Sequence, residues 1–184
     1  MSENNTLQTI TEDGYGLGSE TTLHIPRGNQ GLAPMMVDMT EIYRIVSRTK
    51  EIERVTPASY AELITDFNMG MVQLNRLIGL IEIEKTEAEN NLEVMRSIVL
   101  LERVENYLKA RNIKSSTDTR EAAIMVDKDV QDAIRRKDAL TAIQAYITGL
   151  KHSLDRAYFS AKQVTDLISG DPYLNKTAGD RNGR

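Results

Sequence analysis

The sequence predicts an all-α protein. Its core is a long antiparallel helical hairpin of coiled-coil character, with a short helix and an extended or disordered N-terminal arm ahead of it, and it assembles into oligomers. Three observations predict this. Aromatic residues make up 5% of the chain, with no Trp and two Phe, too few for the aromatic and β-branched runs of a sandwich. Apolar residues recur at heptad spacing over two long stretches. Gly and Pro cluster in residues 1–38 and are scarce in those stretches.

The arm is read as residues 1–39. Gly14, Gly16, Gly18, Gly28, Gly31, Pro26 and Pro34 punctuate it, and no periodicity is visible. It is acidic: Glu3, Glu12, Asp13, Glu20 and Asp38 stand against Arg27 alone. That arm charge of −4 equals the net charge of the whole chain, so the rest is neutral. The stretch Gly14-Tyr15-Gly16-Leu17-Gly18 resembles a phosphate-binding loop only superficially, because no strand precedes it and no amphipathic helix follows it.

Residues 40–55 read as a short helix, with Thr40 as a cap and Ile42, Ile45, Val46 and Ile52 at helical spacing. Thr56-Pro57 then opens the first long helix, predicted over 56–112. Its heptad lines are Tyr60, Phe67, Leu74, Ile81, Ala88 and Met95, and Ile64, Met71, Ile78, Lys85, Leu92 and Val99. Unbroken, it would be about 80 Å long. Residues 112–117 interrupt the pattern. Asp118, with Glu121 three residues on, reads as a capping box for a second helix over 118–169.

That second helix carries the cleanest apolar line of the chain: Leu140, Ile143, Ile147, Leu150, Leu154, Ala157, Ala161, Val164 and Ile168. It is the expected oligomerisation seam, because a bare two-helix hairpin buries too little apolar surface to be stable alone. Ser169-Gly170-Asp171-Pro172 is the expected stop, and residues 170–184 read as a polar tail.

The composition argues against catalysis. There is no Cys, and His24 and His152 are the two histidines, too few and too far apart for a metal or catalytic constellation. Glu82, Glu84, Glu87 and Glu89 read as a solvated charged face beside Lys85. No enzyme, cofactor or metal is expected. The start of the chain is polar rather than signal-like, and the apolar run Leu77-Ile78-Gly79-Leu80-Ile81 is too short to span a bilayer. A cytosolic protein is expected.

A function can be proposed where the two helices join. Residues 96–120 hold six bases (Arg96, Arg103, Lys109, Arg111, Lys114 and Arg120) and three acids, Glu102, Glu105 and Asp118. At 100° per residue Arg96, Arg103, Arg111 and Lys114 share one side, with Tyr107 among them and Lys109 off it. Basic groups that track phosphates, with a ring for a base, suit single-stranded nucleic acid. A solubilising hairpin end is the other reading of the same spacing.

The segment Leu108-Lys109-Ala110-Arg111 resembles the Leu-Lys-Ala-Arg segment of the UvsY family, the recombination mediators of T-even bacteriophages. Val126-Asp127-Lys128-Asp129-Val130 resembles that family's Ala-Asp-Lys-Asp-Val. Tyr146, Leu150, Leu154, Asp155, Ala161, Lys162, Val164 and Asp166 keep a comparable spacing. The likeness covers roughly residues 60–168. It implies an oligomeric helical hairpin that binds single-stranded DNA in phage recombination, replication and repair. It also implies loading of a RecA-like recombinase onto DNA covered by single-strand-binding protein, with Lys109 and Arg111 matching the family's basic pair. The acidic pI of about 5.3 is a departure, since DNA affinity rests largely on charge neutralisation. Two further readings stand beside this one. One is a virion neck, tail or capsid-associated protein whose arm lies along neighbouring subunits; the other is a coiled-coil adaptor.

Overall fold

A computed structural model describes residues 16–19, 21–29 and 31–169. Glu3, Glu12, Asp13, Gly14, Tyr15, Glu20 and the tail from Gly170 lie outside the described residues. The chain is mostly helical. Strands β1 (Gly16–Ser19), β2 (Thr22–Ile25) and β3 (Met35–Asp38) come first, then α1 (Thr40–Ser47) and a 3-10 helix, Arg48–Arg54. The two long helices are α2 (Pro57–Glu102) and α5 (Lys128–Ser169), separated by the short α3 (Val104–Ala110) and α4 (Thr117–Met125). No helix among the described residues is long and apolar enough to cross a membrane.

The chain divides into two compact units. The first joins the segment ending at Asp38 to Gly79–Ala145. Here the expected arm forms, over residues 16–38, a three-stranded antiparallel sheet in the order β1-β2-β3. Leu23 pairs with Leu17 on one side and Val37 on the other. Leu23 and Ile25 are buried, whereas Thr22 and His24 are half-buried. The alternation is real, but a four-residue strand is too short for its period to stand out in sequence. Gly16 and Gly18 sit in β1, so the described part of the loop-like glycine run is strand.

This sheet segment is fastened to α2 at Glu84, which is buried rather than solvated. The Gly28 amide donates to Glu84 Oε2 at 2.7 Å. Arg27 Nε lies 2.8 Å from Oε1, an ion pair off the line of a hydrogen bond. Gly28 is required by the close approach: a Cβ there would come within 2.4 Å of the Glu84 carbonyl and 2.8 Å of the Ala88 amide. Nearby, Lys85 Nζ satisfies itself on Gln144 Oε1 at 3.3 Å, which is how a lysine is accommodated on an apolar heptad line.

The second unit joins Met39–Ile78 to the chain from Tyr146 on. Within it α2 and α5 run antiparallel, and Ile45 of α1 packs with them: a Cβ on Gly70 would lie 2.7 Å from Leu154 and 3.0 Å from Ile45. Thr40 is the first residue of α1 rather than its cap, which is Met39. Asp66, buried on α2, accepts from Arg48 and from Arg44 at 3.2 Å. Burial pushes its pKa up, but the hydrogen bonds from the two guanidinium groups outweigh that, and the carboxyl ends below its ordinary range. Tyr146 donates to the Tyr43 hydroxyl at 3.0 Å, and burial with that contact raises the Tyr43 phenol.

The line expected to meet a second copy is covered by the chain itself. Leu140 and Ile143 are buried in the first unit; Ile147, Leu154, Ala157 and Ala161 are buried in the second. Leu150 and Val164 are half-buried, and the Ile168 side chain is outside the described residues. The regular seam therefore serves the interior of each unit, where Ile81 of α2 is also buried in the first and Phe67 and Leu74 in the second. Assembly through that seam is corrected by this burial.

Candidate nucleic-acid interface

The first long helix does not run unbroken to residue 112. α2 ends at Glu102 and α3 starts at Val104; Arg103 between them keeps helical hydrogen bonds, its N donating to Val99 O and its O accepting from Tyr107 N, both at 3.0 Å, but its φ of −117° distorts the helix there. The apolar spacing explains the step. Val99 and Val104 are both buried, yet five residues on one continuous helix lie about 140° apart. With the helix distorted at Arg103, Val104 and Leu108 join one core with Leu92, Val99, Ala123, Val130 and Ala133. Because α3 ends at Ala110, Arg111 and Lys114 lie beyond the helix, and a single helical wheel does not extend over residues 96–114.

α3 ends in a Schellman turn. Ile113 N donates to Leu108 O at 3.0 Å and Asn112 N to Lys109 O at 3.1 Å. Asn112 takes the left-handed conformation, φ 54°, which Asn tolerates better than most residues. The next helix is capped two residues before the expected Asp118. Thr119 N donates to Ser116 Oγ at 3.2 Å and Ser116 N to Thr119 Oγ1 at 2.8 Å, a reciprocal cap that Ser and Thr form readily. The second long helix is broken too: α4 stops at Met125 and α5 starts at Lys128. Asp127 caps α5, accepting from Asp129 N at 3.0 Å. Val126, the first residue of the motif that resembles the UvsY family's, is exposed.

Three of the six bases have acidic partners. Arg103 reaches Asp127 at 3.1 Å and Asp129 at 2.7 Å, and those hydrogen bonds hold its pKa above the ordinary range. Arg120 pairs with Glu105 at 2.7 Å, and Arg96 with Glu93 at 3.1 Å. Arg96 also lines a shallow recess with Glu121, Ile124 and Met125. These arginines hold the local fold and are not free for phosphate.

Lys109, Arg111 and Lys114 are exposed and have no acidic partner among the described residues. They surround the Schellman turn. The Arg111 guanidinium lies 3.9 Å from the centroid of the Tyr107 ring, a cation–π contact. Tyr107 is half-buried and packs on the local core. The planar group offered for stacking is therefore the Arg111 guanidinium, backed by the ring. Glu102 and Asp118 are exposed acids of the same stretch.

The Val126–Val130 motif thus has a structural role, as the cap of α5 and the anchor of Arg103. No signal for the Arg103 step exists in its own residue type; the five-residue gap between Val99 and Val104 is the legible one. Among the described residues, no group of three or more His, Cys, Asp or Glu side chains is arranged to hold a metal. Comparison with protein-family models, with curated proteins and with solved structures finds no match to this chain.

Proposed function

We propose that the protein binds single-stranded DNA through Lys109, Arg111 and Lys114 and acts as a recombination mediator, assisting a RecA-like recombinase onto DNA held by single-strand-binding protein. The observation that carries the reading is the unneutralised trio around the Schellman turn. Two flexible ammonium groups suit phosphates, and a guanidinium plane backed by Tyr107 suits an unstacked base. The mediator step rests on the likeness of residues 108–111 and 126–130 to the UvsY family.

Three cations bind weakly in one chain, which suits a protein that hands its strand on. Several copies acting together raise affinity without new contacts. The mechanism is binding and exchange, with no bond made or broken. Anisotropy of a labelled oligothymidylate against salt tests it: binding weakens as salt rises, and the Lys109→Ala/Arg111→Ala pair loses most of it. Absence of salt-dependent binding by the wild type contradicts the reading.

The virion-protein reading needs an arm that reaches along neighbouring subunits. It loses support over residues 16–38, because that segment folds into a sheet held at Glu84 of its own chain.

A further inference from the structure

The second unit carries an exposed ridge on α5. His152, Arg156 and Phe159 follow at steps of four and three, and at 100° per residue they fall within about 60° of one another. All three are exposed, and each ends in a flat group. Of the chain's two phenylalanines, Phe67 is fully buried and Phe159 is 62% exposed. Phe159 is nonetheless held in place. The half-buried Tyr158 meets its ring edge-on, with centroids 5.6 Å apart and planes at 87°. Burial, then Tyr158 and Asp166, raise the Tyr60 phenol, so Tyr158 stands near α2 of the same unit.

Lys151 and Lys162 lie on one flank of the ridge, about 60–80° around the helix from Phe159. Neither lysine has an acidic partner among the described residues, and nor has Arg156. Two half-buried acids share the lysine flank, Asp155 and Asp166, and Asp166 is engaged within the chain. Cations still exceed acids here, Lys151, Arg156 and Lys162 against that pair.

We propose that this face of α5 is a second contact site for single-stranded DNA. Unstacked bases lie on the His152, Arg156 and Phe159 planes, and phosphates follow Lys151 and Lys162. The inference rests on the reading above for its ligand but not for its residues, because Lys109, Arg111 and Lys114 belong to the first unit. The two sites share a design. At each, an exposed flat group is backed by a half-buried tyrosine, Arg111 by Tyr107 and Phe159 by Tyr158, beside cations that no acid holds. A duplex fits poorly, because its bases are already stacked and out of reach. A protein partner fits poorly too. Apart from Leu167, two turns on, the neighbours of the ring are polar, with Ser160 and Gln163 exposed beside it, so the face lacks the apolar core of an interface.

The chain has no Trp, so Phe159→Trp puts a single reporter at the site in the full-length protein. Oligothymidylate should quench its emission. Heparin, a polyanion without bases, should bind and leave it bright. In anisotropy, Phe159→Ala and Phe159→Leu should each weaken oligothymidylate binding about tenfold with the salt slope unchanged, and Phe159→Trp should bind as wild type. Arg156→Ala/Lys162→Ala should lower the log–log salt slope by about 1.4, and Asp155→Asn should tighten binding about threefold. Helical circular dichroism should match wild type throughout. Three results overturn the second site while leaving Lys109, Arg111 and Lys114 standing: emission that bound oligothymidylate does not change, equal quenching by heparin, or wild-type affinity in Phe159→Ala. A Lys109→Ala/Arg111→Ala protein that binds as wild type, while Phe159→Ala does not, removes the first site alone. A wild type that binds no single strand overturns both.

Discussion

Two arginine clusters on this chain look alike in sequence and differ in their partners. Around Asp66, Arg48 is 14% exposed and engages Asp66, Glu62 and Glu51, while Arg44 engages Asp66 and Glu41. Around the Schellman turn, Arg103 and Arg120 are similarly matched by acids, but Lys109, Arg111 and Lys114 are not. A cluster whose cations are all matched holds structure; a cluster with cations to spare is free to take a polyanion. The number of bases in a window does not distinguish the two, because the neutralising carboxylates come from other elements.

The largest expected effect comes from breaking the matched cluster. Arg48→Met leaves the buried Asp66 carboxylate with Arg44 alone and should cost about 3 kcal/mol, measured by urea unfolding. The pH dependence follows from the lowered Asp66 pKa. Its contribution is fully present above the unfolded value near 4 and is lost as pH falls through the lower folded value. The Arg48→Met protein should therefore lose less stability than wild type when acidified below about pH 4.

Next comes the dock of the sheet. Gly28→Ala places a Cβ 2.4 Å from a backbone oxygen and should cost about 2 kcal/mol. Amides of residues 22–38 should exchange faster, while those of α2 beyond residue 92 should be little changed. Asp127→Ala removes the cap of α5 and one partner of Arg103. It should cost about 1 kcal/mol and leave DNA binding intact, since it disturbs the matched part of the cluster. The smallest effect on stability belongs to Lys109→Ala/Arg111→Ala/Lys114→Ala. Its melting temperature should stay within about 2 °C of wild type.

The helical class and the two long helices were legible because apolar heptads persist over many turns and outweigh local noise. Thr56-Pro57 also opens α2, with Ser59 N donating to Thr56 Oγ1 at 3.3 Å. What was not legible depends on distant pairs. β2 and β3 have four residues each, too few for a period-two signal, and they are defined by pairing with one another. Glu84 reads as one acid among several until the Gly28 amide and Arg27 reach it. At the candidate site, all six bases were visible as residue types. Their division into matched and unmatched sets depends on Asp127, Asp129, Glu105 and Glu93 being brought alongside. The oligomerisation seam was misassigned for a related reason. A regular apolar line shows that something covers it, and here α1 and α2 of the same chain do so within the second unit.

The most direct test of the central claim is the salt dependence of single-stranded DNA binding by wild type and by the Lys109→Ala/Arg111→Ala/Lys114→Ala variant, at equal fold and equal oligomeric state. Wild type should bind with an affinity that falls as salt rises, and the variant should lose about 2 from the log–log slope per chain. A wild type that does not bind, or a variant that binds with the same slope, would contradict the account.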